Sequence, residues 1–236
     1  MSVHHDPAGK SRTRTRSFAA ALCIAMMSLG ASSEATRDPV PLPKPSVQGS
    51  VSIEQALTRR RSIRRFDPAP LSPRSLSQLV WAAQGVTDER GLRTAPSAGA
   101  LYPLEVYVVP GAVSGLAPGV YHYDPKRHRL ARTAVGEFRD RLAAAAYGQD
   151  WIADAPAVLV LAADHDRTLR KYGSRASRYV HMEVGHAAQN VYLQAEGLAL
   201  GTCFVGAFSD EAIKELLGLP ADLAPLGLMP VGKPGP

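Results

Sequence analysis

From Tyr179 to Leu200 the chain carries apolar or small side chains almost all the way round a helix, interrupted only by His181, Glu183, His186, Gln189, Asn190, Gln194 and Glu196. No proline breaks the run. A helix that is apolar on every face cannot stand in water, so the rest of the fold must wrap it, or a second subunit must cover it. The flanking elements must therefore supply apolar faces. Ser52 with Gln55 three residues later makes a capping box for a helix reaching about Arg60. Ser72-Pro73 opens another, with Leu76, Leu79, Val80 and Ala83 on one face and Gly85 beyond its end. The spacing predicts a third helix over 136–146 and a fourth capped at Ser209.

Strand patterns alternate with these helices. Residues 105–109 read as a strand, and 120–123 with 129–133 as a hairpin about Asp124-Pro125. The continuous apolar run 157–162 predicts a buried strand, and 202–205 and 226–231 two short ones. Strands and helices mix without strict βαβ alternation, which predicts an α+β domain.

Upstream, four basic residues (Lys10, Arg12, Arg14, Arg16) precede the apolar stretch Phe18–Leu29 and the small residues Gly30–Ser33. This is the order of a secretory signal over 1–33, so the expected location is exported and periplasmic, or cytoplasmic if the segment does not function as a signal. Residues 34–50 hold four alternate prolines (39, 41, 43, 45) and read as a semi-rigid linker, leaving 51–236 as the folded domain. The net charge of +6 invites a nucleic-acid reading. Half of it lies before residue 34, however, so no nucleic-acid partner is expected. No apolar run in the remainder suits a membrane span, and none is expected once the signal is cleaved. Two cysteines, one of them inside the apolar stretch, exclude a disulfide scaffold and an all-cysteine zinc site. His181 and His186 are five apart and do not share a helix face, so no metal site is expected. The stretch 227–233 imitates a phosphate-binding loop, but Pro234 stands where a magnesium-binding hydroxyl belongs.

Arg59, Arg60, Arg61, Ser62, Arg64 and Arg65 crowd one helix end. Guanidinium forks match phosphate geometry and Ser62 adds a donor; the alternative is a solvated basic face that neutralises the helix dipole. This RRRSIRRF run resembles the opening Arg-x-Ser-x-Arg/Lys motif of the nitroreductase-like flavoproteins. The segment Ala95-Pro-Ser-Ala-Gly-Ala-Leu-Tyr-Pro-Leu-Glu105 is similar to that of their SagB/ThcOx-type branch, the azoline dehydrogenases. Lys171-Tyr172, the helix carrying Glu183, Gly185, His186, Gln189 and Asn190, and Pro230-Val-Gly-Lys-Pro234 follow in the same order.

The resemblance implies a nitroreductase-like fold, with an antiparallel-rich central sheet flanked by helices and a long buried helix at a dimer interface. It implies FMN as cofactor, with NAD(P)H admitted as electron donor, and a homodimer acting on a small-molecule or peptide-azoline substrate. Arg60, Arg61, Ser62 and Arg64 match the residues about the flavin phosphate and the ring's pyrimidine edge. Pro96, Ser97, Ala98 and Gly99 match the segment lent by the partner subunit, and Val205 and Gly206 the backbone beside flavin N5. Of the basic pair that classical members carry after the last strand, Lys233 is the match. Lys171 and Tyr172 match the catalytic pair; a lysine desolvated against the ring would release its proton more readily and act as base. Without the resemblance these two residues read equally as a helix end, with Lys171 in water and Tyr172 packed. The implied activity is hydride transfer between substrate and flavin N5. An NAD(P)H-dependent nitro or quinone reductase and a non-catalytic flavin-binding scaffold are the alternatives.

Overall fold

The computed structural model describes residues 39–236; the expected signal segment 1–33 lies outside them. In chain order the elements are β1 (Val40–Pro41), α1 (Ile53–Arg59), α2 (Pro73–Gln84), β2 (Leu104–Pro110), β3 (Gly119–Asp124), β4 (Arg129–Val135), α3 (Arg139–Ala145), α4 (Trp151–Asp154), β5 (Ala157–Asp164), α5 (His165–Tyr172), α6 (Ala176–Gly197), β6 (Gly201–Thr202), α7 (Asp210–Leu217) and β7 (Leu223–Gly232). Single turns of 3₁₀ helix occupy Ala98–Ala100 and Gly173–Arg175. The strands form one sheet in the order β1-β4-β3-β2-β5-β7-β6, with antiparallel neighbours throughout.

β5 lies centrally between β2 and β7, and all its residues are buried. Its side chains alternate faces, as a pleated strand requires. Leu159 and Leu161 join Leu76, Leu79, Val180, Val184 and Val191 under α2 and α6. Val158, Val160 and Ala162 join Leu142, Ile152, Ile213 and Leu217 under α3, α4 and α7. The sheet is thus the middle layer between two cores, which is the α+β architecture expected.

Three boundaries differ from the sequence pattern for local reasons. α6 ends at Gly197 rather than Leu200, because Ala199 turns left-handed at φ +54° and Gly201 enters β6. α3 begins at Arg139, where the Glu137 carboxylate accepts from the Phe138 and Arg139 N–H groups and starts the first turn. The strand expected at 202–205 is split: β6 covers Gly201–Thr202, and Val205 pairs separately with Leu228.

Of the segment expected as a spacer, residues 39–46 dock on the domain. Val40 pairs with Leu130, and the Leu42 N–H donates to His128 O (3.1 Å). Ser77 donates to the Pro43 carbonyl, which His128 Nε2 also contacts at 3.0 Å. The Ser46 N–H donates to Gln78 Oε1 (2.8 Å), and Gln78 Nε2 donates back to Ser46 O (2.9 Å). Polar groups on α2 hold the strap where composition alone suggested a free tether. The long helix also differs from an all-round buried rod. Val180, Glu183, Val184, Ala187, Ala188, Val191 and Ala195 face the core, while His181, Met182, Gly185, His186 and Gln189 form an open stripe. Among the described residues no helix is long and apolar enough to cross a membrane.

Candidate functional site

The basic cluster follows α1 directly. The Ser52 capping box fixes the start of α1, and Arg60 ends it. The chain then leaves along β6: Ser62 bridges to Thr202, and the Ile63 N–H donates to Thr202 O (2.9 Å). This pairing brings the Arg-x-Ser motif to the segment after β6. Tyr192, on α6, joins them. Its hydroxyl lies 3.2 Å from Ser62 Oγ and accepts from the Phe204 N–H at 2.7 Å, while the Arg60 guanidinium sits 5.3 Å from its ring centroid. Val205 exchanges backbone hydrogen bonds with Leu228 at 2.8 and 2.9 Å, which fixes the backbone just before Gly206. Gly206 is exposed, and a Cβ there would meet only Phe204, at 3.7 Å. Arg60, Ser62, Val205 and Gly206 therefore gather as expected, around a tyrosine that sequence reasoning missed. Its signal was a phenol on a helix that packs against the core, since such a hydroxyl ordinarily needs a partner.

The other expected basic residues go elsewhere. Arg61 turns back on α1 and donates to Thr58 O and Arg60 O (3.1 and 2.8 Å), the helix-end role weighed against an anion site. Arg64 lies over the Trp151 ring, 5.8 Å from its centroid. Lys233 pairs with Asp67 at 3.4 Å.

The second group of residues lies at the corner of α5 and α6. The loop 96–102 is wound tightly, with Gly99, Ala100 and Tyr102 at φ +64°, +54° and +48°. Non-glycine residues in this region cost energy that surrounding contacts must offset. Here the Tyr102 N–H donates to Ser97 Oγ (2.9 Å), Arg167 donates to Tyr102 O (3.1 Å), and the Arg93 guanidinium sits 4.6 Å from the Tyr102 ring centroid. Arg167 is itself held by Asp164 (2.9 Å) and Glu105. Burial alone would raise the Glu105 carboxyl, but His122, at 2.7 Å, and Arg167 together hold it below the usual range.

Gly99 touches the proposed catalytic pair. A Cβ built on it would fall 2.8 Å from both Lys171 Nζ and Tyr172 Oη. Tyr172 packs edge-on to Tyr179, with ring centroids 4.9 Å apart. Lys171 is exposed, so the desolvation expected for it does not come from its own chain. Beneath the loop lies Glu183, 2 % exposed, with Oε1 lacking any partner among the described residues. Burial pushes its carboxyl up to about 7, against the opposing pull of Ser97, Arg93 and Gln84. In sequence it interrupts the apolar pattern of the long helix and stands in the stretch that resembles the family's helix, with no role attached to it.

The two groups are separated. Tyr179 and Tyr192 are thirteen residues apart on α6, which at 1.5 Å per residue is about 20 Å. A cleft of about 580 Å³ between the strap, α2 and α6 contains neither group.

A family model described as "Nitroreductase family" matches residues 57–233. A Methanocaldococcus jannaschii protein bearing a nitroreductase name is 53% identical over 183 residues, spanning 78% of this chain and 91% of that protein. A solved Ralstonia eutropha structure with a nitroreductase name superposes with a TM-score of 0.74 at 30% identity, covering 84% of this chain and 90% of that one. The trifolitoxin-processing protein of Rhizobium leguminosarum is 29% identical over 128 residues, 48% of this chain and 32% of that protein.

Proposed function

Because the chain belongs to the nitroreductase family, we propose that this oxidoreductase is FMN-dependent and of the SagB/ThcOx type, acting on a small-molecule or peptide azoline. The observation that carries the reading is the Tyr192 hub, which ties Arg60 and Ser62 to the backbone at Phe204–Gly206. The donor set fits the cofactor: a guanidinium and a hydroxyl, both without an acidic partner among the described residues, suit a phosphate dianion. Gly206 leaves the adjoining backbone open to a flat ring. When bound, FMN supplies N5 as the hydride acceptor or donor.

The chain's own residues do the rest. Arg60 and Ser62 bind the phosphate, and Tyr192 orients Ser62. Lys171 and Tyr172 hold and move the substrate proton, with the loop at Gly99 behind them. The separation along α6 supports a homodimer in which each subunit lends Pro96, Ser97 and Ala98 to its partner's flavin. The open stripe of α6 supports the same reading: among the described residues nothing lies within 4 Å of a Cβ built on Gly185. A mid-helix glycine costs about 1 kcal/mol relative to alanine, and close approach of a second helix would offset that. The trifolitoxin-processing relative supports the peptide-directed branch over a general reductase. The order of residues in 1–33 supports export.

The test is the absorption spectrum of purified protein, expected to show oxidised-flavin bands at about one FMN per subunit. A protein that stays colourless after soaking in FMN would overturn the reading. A second reading, an NAD(P)H-dependent nitro or quinone reductase, is favoured by the exposure of Lys171. Rapid flavin reduction by NADH in stopped flow would put it first.

A further inference from the structure

The two groups of site residues lie on different sides of α6 as well as far apart along it. Tyr179, against which Tyr172 packs, and Tyr192, which holds Ser62 and Phe204, are thirteen residues apart. At about 100° per residue their side chains leave the helix ~140° apart, so the body of α6 stands between them. The sheet gives the same separation independently. Val205 pairs with Leu228 of β7, and Leu228 pairs with Val160 of β5. Lys171 and Tyr172 belong instead to α5, which begins only after Asp164. The Gly99 loop that they touch precedes Leu104, opposite Ala163 at the same end of the sheet. From Val160 to Asp164 the strand advances about 13 Å. Proton and hydride transfer need reacting atoms about 3–3.5 Å apart. A flavin with N5 beside Val205 and Gly206 is therefore out of reach of Lys171 and Tyr172 of its own chain.

The pair moves as one body with the loop 96–102. Gly99 lies against both side-chain tips, and Arg167, one turn before Lys171 on α5, donates to Tyr102 O at 3.1 Å. A loop lent to a partner's flavin thus carries Lys171 and Tyr172 with it. The open stripe of α6 is placed for such an exchange. It runs through His181, Met182 (53 % exposed), Gly185, His186 and Gln189. Gly185 and His186 lie midway between Tyr179 and Tyr192. A two-fold axis at that point, set to reverse the helix, brings the Tyr179 level of one protomer to the Tyr192 level of its partner.

Resting on the flavin and homodimer reading above, we infer that Lys171 and Tyr172 act in trans: each pair serves the flavin held by Arg60, Ser62 and Gly206 of the other protomer. A dimer then carries two composite sites, and neither protomer contains a complete one.

Two measurements test this, and the first needs no flavin. Lys171 and Gly206 are both exposed, and a Cβ on Gly206 meets only Phe204 among the described residues, so Lys171→Cys and Gly206→Cys leave the packing intact. In the full chain carrying both, with Cys23→Ser and Cys203→Ala, a short bismaleimide should join the two cysteines between chains and give a covalent dimer on a denaturing gel. A link within one chain, or no link, would overturn the inference. The second measurement uses mixed dimers, isolated by two different affinity tags, of an Arg60→Ala/Ser62→Ala chain with a Lys171→Ala chain. They are assayed with a thiazoline peptide at an FMN concentration that leaves the first chain empty. In trans, the flavin held by the second chain meets the intact pair of the first, so the mixed dimer should turn over at about half the wild-type rate, one composite site of two. In cis, every site carries one lesion, and a mixed dimer no faster than its parent homodimers would overturn the inference. A cross-link between chains in a protein that never takes up FMN would keep the shared geometry and sink only the flavin reading.

Discussion

Placing a methyl group on Gly99 tests the contact between the loop and the proposed catalytic pair. Gly99 has φ +64°, so alanine there pays the left-handed penalty of about 1–2 kcal/mol. In a fold of this size that lowers the melting temperature by roughly 2–8 °C. The added Cβ also falls 2.8 Å from Lys171 Nζ and Tyr172 Oη, well inside normal contact. Both atoms are tips of side chains that can swing away, so the clash adds little to the stability loss. What it changes is where the two tips sit. Misplacing a catalytic group by about 1 Å costs on the order of 10²-fold in rate. Gly91 supplies the control, with φ +81° and nothing within 4 Å of a built Cβ. Gly91→Ala should show the same loss of melting temperature as Gly99→Ala and full turnover. The assay is thermal unfolding of both variants, together with stopped-flow flavin reduction by a thiazoline peptide. Equal turnover in the two variants would refute the contact. A Gly99→Ala protein far less stable than Gly91→Ala would show that the tips are fixed and that the pair is part of the packing.

Glu183→Gln should also change stability with pH. The folded carboxyl lies at about 7 against 4.5 for the free group, so the native state resists ionisation. Native stability is therefore highest below the unfolded value and falls as the pH rises from 4.5 to 7. The difference is worth about 3 kcal/mol above that window. In urea unfolding the glutamine variant should be the more stable at pH 8 and lose that advantage at pH 4; a constant offset would contradict the assignment. Arg60→Ala should weaken FMN binding by about 1.5–3 kcal/mol while leaving riboflavin binding nearly unchanged, read by fluorescence quenching; equal losses for both would remove the arginine from the phosphate. Lys171→Ala and Tyr172→Phe should slow azoline oxidation by about 10²–10⁴-fold with flavin content intact; a change under about threefold would favour the reductase reading. Gly185→Arg on the open face of α6 should yield monomers in sedimentation; an unaltered dimer would place the interface elsewhere.

Much of the fold was legible because local rules act within a few residues. Ser52 and Gln55 announce α1, the apolar run at 157–162 announces a strand buried on both faces, and Ser72-Pro73 announces α2. The site was legible in parts. Arg60 and Ser62 stand in one short motif, whereas Lys171 and Gly99 are 72 residues apart and were linked only by resemblance to a family. Tyr192 stands in no motif and Glu183 enters only through the resemblance of its helix, because the groups around them come from Ser62, Phe204, Arg93 and Gln84, at distances in sequence that periodicity does not sense. Arg61 and Lys233 stand apart from the Tyr192 cluster for the opposite reason. Each has a nearby partner, the end of α1 or Asp67, that composition does not reveal.

The docked strap has a consequence for how the protein behaves at high concentration. β1 is the outermost strand of the sheet, and an exposed edge is a template on which another chain can add a strand. Val40 and Leu42 direct their backbone groups inward to β4. The alternate positions, whose amides would point outward, are Pro39, Pro41 and Pro43. Proline has no N–H, so this side of the edge offers acceptors and no donors, and an incoming strand cannot complete a ladder along it. Replacing Pro39, Pro41 and Pro43 with valine would restore a hydrogen-bonding rim, and a fold that packs unchanged would gain a route to fibrillar self-association.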